Sequence, residues 1–353
     1  MLIYFILPII MLIVYLITKP YQLRVLFIII SFGMMGLVGA LRASSVGVDT
    51  GTYEFLFTYF TGDPTTASHY PIYDYLSQFT RLFSVNPHAI TVVIAVLTAI
   101  LFAIFLIRVK EINALYAVFL YQAFLLFGTS MNSSRQFLAI SLVANAAVFL
   151  FKKKWIYFLV LVIVAIEVHS TAVVSLVLIP IYFLKWSQKT MITFLGIISI
   201  VFPIKNFMLV QFMRIFPDYA IYDGRGALSA NTQGAGGSTL FNLFIFVVYF
   251  GIVFFLLQRK TPFTRFESNI IYSYGIYAYL DLILSNLVIV QRIFMYFSIM
   301  GIIAIPLLFK KLSENVDRRT YYLINSVFIL FMIFYLYIQL EHDYIGIVPY
   351  SIF

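Results

Sequence analysis

GALRASSVGVDTGTY, residues Gly39–Tyr53, follows an apolar run (Val25–Val38) and opens a polar stretch that continues to about Asn86. Arg42 sits at the boundary. A loop then presents Ser44, Ser45, Asp49 and Thr50 before an aromatic-rich helix. Ionisable groups are expensive in lipid and mark functional places when they persist there. A charged residue kept at this boundary therefore points to a polar ligand that meets the membrane. The fold that follows is a many-pass helical membrane protein with an anion-binding, sugar-compatible site at its outer face.

The rest of the composition agrees. The chain has 353 residues, of which 63% are hydrophobic and 10% charged, whereas an ordinary soluble domain is about 25% charged. At about 20 residues per crossing, the length accommodates roughly ten to twelve spans with short connections. The expected architecture is an all-α polytopic membrane protein, one integral membrane domain over residues 1–353 with no soluble domain. The net charge of +9 is spread over segment ends, as the positive-inside rule distributes it, and gives no nucleic-acid signature. The chain has no cysteine, which excludes disulfides, a thiol nucleophile and a cysteine-bound metal. The N-terminal MLIYFILPIIMLIVYLI lacks a basic leader and a cleavage site, so it reads as a retained first span.

Basic residues in short connections orient the spans. Lys19 and Arg24 face the cytoplasm, and segment 43–87 is external, with an interfacial helix over His69–Thr80. The chain returns over 88–107 to Arg108 and Lys110, leaves over 112–128, turns tightly at GTSMNSSRQ (128–136) and descends over 134–151 to Lys152, Lys153 and Lys154. Residues 155–184 read as two short helices that turn near His169, which keeps Glu167 and His169 from mid-membrane. A span over 190–213 kinks at Pro203 and leads to an external loop, 214–238. Segments 239–257, 268–285, 290–309 and 321–340 complete about twelve transmembrane or partly inserted helices at this spacing. Both termini are outside, and no internal repeat of the transporter kind is visible.

In this topology Arg42, Arg135, His169 and Arg292 converge at the external surface. Asn132, Ser133 or Ser134 is placed to cap the helix that carries Arg135 and Gln136. A capped N-terminus with a guanidinium fork and an amide is a cradle for phosphate or diphosphate; the alternative is an arginine that snorkels to headgroups. Arg292 opens an apolar helix. Tyr274, Tyr277, Asp281 and Ser285 line one face of the preceding span, where Asp281 either neutralises Arg292 or joins it in binding substrate. His169 is a candidate base near neutral pH or a hydrogen-bonded turn residue, and Ser170 or Thr171 caps the helix after it. Asp49 is a candidate base or the N-cap of the following helix. Tyr53, Tyr70, Tyr73, Tyr75 and Tyr350 stack on sugar rings or form an interfacial belt. No HExxH or HxxxH pair, P-loop or GxSxG elbow occurs, so neither a protein-held metal nor a cofactor is expected.

GALRASSVGVDTGTYEFLF resembles the G-L-R…V-G-x-D-T-x-x-Y…F signature of the EpsG-like branch of Wzy-type bacterial polysaccharide polymerases. NSSRQFLAISL, VHSTAVV, QRIFMYFSI and VPYSIF resemble later elements of that family, in order along nearly the whole chain; HSTA stands where the family carries H-x-S-A. The resemblance implies a GT-C-like, metal-independent enzyme of the bacterial cytoplasmic membrane with its active site toward the outer face. Its donor and acceptor would be undecaprenyl-diphosphate-linked oligosaccharides, and the growing glycan would pass to the non-reducing end of another lipid-linked unit. Membrane lipid, a chain-length regulator and a flippase are the further partners it implies. By position, Arg42, Asp49, Arg135, His169 and Arg292 become site candidates: the arginines and Gln136 for diphosphate, Asp49 or His169 as base, and Tyr53, Tyr274, Tyr277 and Asp281 for sugar. A flippase or an outer-face ligase are the alternatives.

Overall fold

A backbone in hydrocarbon must satisfy its own N–H and C=O groups, so apolar runs fold as helices. The computed structural model describes residues 1–59, 71–215, 235–284 and 288–353. Among them every regular element is helical, apart from an isolated antiparallel bridge between Arg42 and Ile352. The chain forms two compact units, Met1–Leu176 with Tyr322–Phe353, and Val177–Tyr321.

The first unit begins with α1 (Ile3–Thr18), α2 (Arg24–Leu41), α3 (Thr50–Tyr59), α4 (Pro71–Arg81) and α5 (His88–Arg108). It continues with α6 (Ala114–Ala123), α7 (Leu126–Asn132), α8 (Ser134–Phe151) and α9 (Trp155–Val168). α8 is its core, with nearly every residue buried. α2 packs against α5, and α5 against α8. Arg24 at the start of α2 donates to the carbonyls of Leu106 (3.1 Å) and Val109 (2.6 Å) at the end of α5. Lys152, after α8, donates to the Arg108 carbonyl at 2.8 Å. The basic ends Arg24, Arg108 and Lys152 thus share one end of the bundle. Arg42, His88 and Ser134 stand at the other.

One expectation changes in this unit. The tight turn at 128–136 is instead helical to Asn132, broken only at Ser133. The bend lies earlier: α6 and α7 meet at 52°, where Leu125 adopts a left-handed φ of 56°. A helix is present there as α4, while His69 and Tyr70 fall outside the described residues. After α9 the chain is extended at His169 (φ −155°, ψ 111°) and resumes as a 3₁₀ segment, Ser170–Val177. The long stretch 155–184 is therefore interrupted where two short helices were expected.

The second unit contains α10 (Leu178–Tyr182), α11 (Gln188–Ser199), α12 (Val201–Ile215), α13 (Ala235–Gln258), α14 (Arg265–Ile283), α15 (Val288–Ser298) and α16 (Gly301–Ser313). At the expected kink at Pro203 the helix is interrupted at Ile200, which keeps helical φ and ψ (−62°, −25°). Proline has no N–H to offer the carbonyl four residues back, here that of Ser199, so the ladder opens before the ring. The expected loop 214–238 is helical at both described edges, and residues 216–234 lie outside the described residues. α17 (Arg318–His342) begins in this unit and continues in the first.

Six described helices, α1, α2, α5, α8, α13 and α17, are long and apolar enough to cross a membrane. There are eight if the bent pairs α6–α7 and α15–α16 each count as one. The other segments expected to cross do not meet that standard. Trp155–Val168, Ser170–Tyr182 and Gln188–Ile204 are apolar but short. α14 has 19 residues, but they include Arg265, Glu267, Asn269, Asp281 and four tyrosines.

Candidate functional site around the Arg42 loop

α2 ends at Leu41, and Arg42 turns the chain into an extended conformation. Gly47 then takes φ +89°, and a Cβ there would stand 2.9 Å from Asn132 Cα, Met131 O and Thr50 Oγ1. Only glycine fits where the loop presses on α7. On its other side lies the segment after α17. Gly346 O accepts from Gly47 N–H (2.6 Å), Ile345 O from Val48 N–H (3.2 Å), and Ser351 O from Ala43 N–H (2.9 Å). That segment is itself held by Asp343, whose carboxylate accepts from the backbone of Ile347 (2.8 Å) and Val348 (2.9 Å). Tyr4 OH donates to Ile347 O and Tyr350 OH to Val38 O, both at 2.9 Å.

The Arg42 side chain is 1% exposed. Its Nη2 donates to Ser134 Oγ at 2.8 Å and its Nη1 to the Gly39 carbonyl. Burial pushes the guanidinium down to about 10, opposed first by Glu54 and then by the Tyr53, Tyr350 and Tyr4 phenols. It remains a cation at neutral pH. A cavity of about 20 Å³, lined by Arg42, Thr98, Tyr121, Ser130 and apolar neighbours, adjoins it, a space suited to one water.

The expected capping of α8 is corrected. Ser133 makes no side-chain cap bond. Asn132 Oδ1 instead accepts from Asp49 N–H at 3.0 Å, and Ser134 Oγ bonds Arg42 and Met131 O. Only Ser133 separates α7 from α8, and Asn132 and Ser134, both buried, fasten the loop instead of capping the helix. Asp49 is half-exposed immediately before α3. Arg135, one residue past Ser134, lies over the rings of Tyr53 (5.7 Å) and Tyr73 (5.3 Å), and Tyr73 OH donates to Tyr53 O at 2.6 Å. Both tyrosines are buried, so they support Arg135 from beneath. Tyr75 is exposed and Tyr350 half-buried. Burial pushes the Tyr73 phenol up, with Arg135 the main opposing influence. Gln136 is buried in α8.

His169 is buried, with Nδ1 2.7 Å from Thr171 Oγ1. Thr171 therefore engages the imidazole. α8 descends 18 residues and α9 climbs back 14. At 1.5 Å per residue these are about 27 and 21 Å, so the hairpin returns His169 toward the Arg135 end.

The remaining candidates belong to the second unit. Tyr274 is buried on α14, edge-on to Tyr249 (4.9 Å) and over Gly301. Tyr277 is half-buried, its ring 6.1 Å from that of Tyr274. The Asp281 carbonyl accepts from Asn242 Nδ2 at 3.3 Å. Arg292 is half-buried on α15, which packs against α14; Ser285 lies outside the described residues. Among the described residues no group of three or more His, Asp or Glu is placed to hold a metal ion.

Compared with known families, residues 24–352 match the model of the EpsG family. The chain belongs to the EpsG family. EpsG is a Wzy-like polysaccharide polymerase family, and the matched residues span both units. Comparison with curated proteins and with solved structures gives no match.

Two polar residues of this EpsG-family chain escaped sequence reasoning. Glu54 and His88 are buried beside Arg42. His88 Nδ1 is 2.9 Å from Glu54 Oε1, its Nε2 is 2.9 Å from Ala40 O, and its ring stacks on Phe353 at 4.0 Å. The available signal was position: each is ionisable and borders an apolar run. The segment after α17 forms one wall of the site.

Proposed function

We propose that this EpsG-family chain polymerises undecaprenyl-diphosphate-linked oligosaccharide repeat units at the outer face of the bacterial cytoplasmic membrane, in a metal-independent, GT-C-like arrangement of about twelve transmembrane or partly inserted helices. The observation that carries the reading is a fixed guanidinium, Arg42, with Arg135 close in sequence to its Ser134 partner, at the end of the bundle opposite Arg24, Arg108 and Lys152. In the reaction, the bond between the donor's anomeric carbon and the diphosphate oxygen breaks, and the acceptor hydroxyl forms the new glycosidic bond. The hydroxyl proton passes to a base, and undecaprenyl diphosphate leaves carrying the negative charge. Preorganised cations lower the barrier where that charge develops. Arg42 and Arg135, with Gln136, take this role, and Arg292 of the second unit is a separate candidate for diphosphate. Asp49, half-exposed on the loop, is the base, with His169 the second choice. Tyr53, Tyr274, Tyr277 and Asp281 belong to the sugar-facing shell of this reading.

The test is reconstitution of purified protein with lipid-linked repeat units in detergent. A ladder of products is the expected result. A single added unit identifies a ligase, and no product identifies a carrier. Arg135→Ala and Arg292→Ala should abolish long chains while the protein still reaches the membrane; wild-type chain lengths in both overturn the diphosphate clamp. Asp49→Asn should stop polymerisation as well. Normal polymer from that variant removes Asp49 as the base.

A further inference from the structure

Glu54 and His88 take no part in the reaction just described, yet Glu54 is the foremost anionic neighbour of Arg42. Their hydrogen bonds fix the charge of the cluster. Ala40 O only accepts, so His88 Nε2, 2.9 Å away, carries a hydrogen. His88 Nδ1 lies 2.9 Å from Glu54 Oε1, which also accepts from Thr91 Oγ1 at 3.2 Å. Two lone pairs at that separation repel, so a second hydrogen lies between Nδ1 and Oε1. On nitrogen it makes imidazolium with carboxylate; on oxygen, imidazole with carboxylic acid. Either way the pair is neutral as a unit. The other groups facing Arg42 are the phenols of Tyr53, Tyr350 and Tyr4, and the far face of the imidazole is covered by Phe353.

We infer that His88 is a positioning residue for the anion site: by holding a proton against Glu54, it keeps that carboxylate from neutralising Arg42, so that the cluster of Arg42, Glu54 and His88 keeps one positive charge for a diphosphate. The ligand rests on the polymerase reading above, whereas the charge balance does not. Without the imidazole, the shared proton is lost from the cluster and the Glu54 carboxylate offsets Arg42, so the cluster drops from one positive charge to none.

The chain has no native cysteine, so a thiol at exposed Ser45, three residues from Arg42, serves as a probe. In Ser45→Cys protein the rate of alkylation by iodoacetate, an anion, is divided by that for neutral iodoacetamide. The ratio cancels accessibility and thiolate fraction and reads the local potential. His88→Phe, which keeps a ring against Phe353, should lower the ratio about twofold at low ionic strength, the effect of one charge across roughly 10 Å of water-like medium. High salt should erase the difference. Adding Glu54→Gln to His88→Phe should restore the ratio, a rescue that a merely structural histidine would not give. An unchanged ratio in His88→Phe, or no rescue, overturns the inference. Should His88→Phe fail to fold, Glu54→Gln alone decides: an unchanged ratio supports a neutral pair, and a rise shows that Glu54 had been cancelling Arg42. Absence of polymer in the detergent reconstitution would reject the polymerase reading and leave this result standing.

Discussion

Arg42 is held by a serine and a carbonyl, so its position depends on acceptors that a different cation would not reach in the same way. Ser134→Ala leaves a buried charged donor without its acceptor and should cost about 1–3 kcal/mol, visible as a lowered unfolding temperature in detergent. Arg42→Lys should not be a conservative change, because an ammonium replaces a planar fork that reaches Gly39 O and Ser134 Oγ together. Gly47→Ala forces a Cβ into Asn132, Met131 and Thr50 at a positive φ and should destabilise by about 1–3 kcal/mol, checked in the same melt. The parts of this site legible in the sequence were those where a charge interrupts an apolar run, Arg42 and Arg135. Glu54 and His88 were not, because their meaning lies in a contact between positions 34 residues apart. In sequence alone, each resembles an ordinary polar residue of an external segment.

The helices follow from local rules that a sequence displays, while their junctions follow from packing that it does not. Apolar runs at 25–38, 88–107 and 134–151 became α2, α5 and α8 with boundaries within a few residues. The α7–α8 junction was misplaced because Gly, Ser and Asn at 128–134 read as turn residues. In the fold Asn132 and Ser134 bond the Arg42 loop, and the backbone is helical on both sides of a single break at Ser133. α17 gives a cleaner case at its start. Asp317 accepts from Arg319 N–H (3.0 Å), Thr320 N–H (3.1 Å) and Thr320 Oγ1 (2.6 Å). The Thr320 hydroxyl first, and then its amide, holds this carboxyl below its usual range. A depressed carboxyl contributes stability that is present above its unfolded value, about 3.9, and is lost as pH falls through the folded one. Asp317→Ala should therefore speed amide exchange in the first turn of α17 at neutral pH. The difference from wild type should shrink as the pH falls below about 4. Equal exchange at neutral pH would show that the cap does not hold this end.

At the scale of the molecule, two features decide whether the chemistry faces the right compartment. The first is the number of crossings: among the described residues six helices are long and apolar enough, or eight if each bent pair is one span, with short apolar helices at 155–168, 170–182 and 188–204 beside them. Hydropathy scores apolar content, whereas a full crossing also needs about 30 Å of helix, so the short apolar helices count among the roughly twelve expected only as partly inserted segments. The second is polarity along the bundle. Arg24, Arg108 and Lys152 cluster at one end of the first unit, joined by hydrogen bonds to α5. Arg42 and Ser134 close the other end. The positive-inside bias assigns the basic end to the cytoplasm, so Ser45→Cys in intact cells should react with a membrane-impermeant maleimide. Lys154→Cys, exposed just beyond the basic end of α8, should react only after permeabilisation. The reverse pattern would put Arg42 and Arg135 in the cytosol and exclude polymerisation at the outer face. Labelling of both cysteines from one side would break the two-ended bundle itself, because α2, α5 and α8 would then not carry their opposite ends across the bilayer.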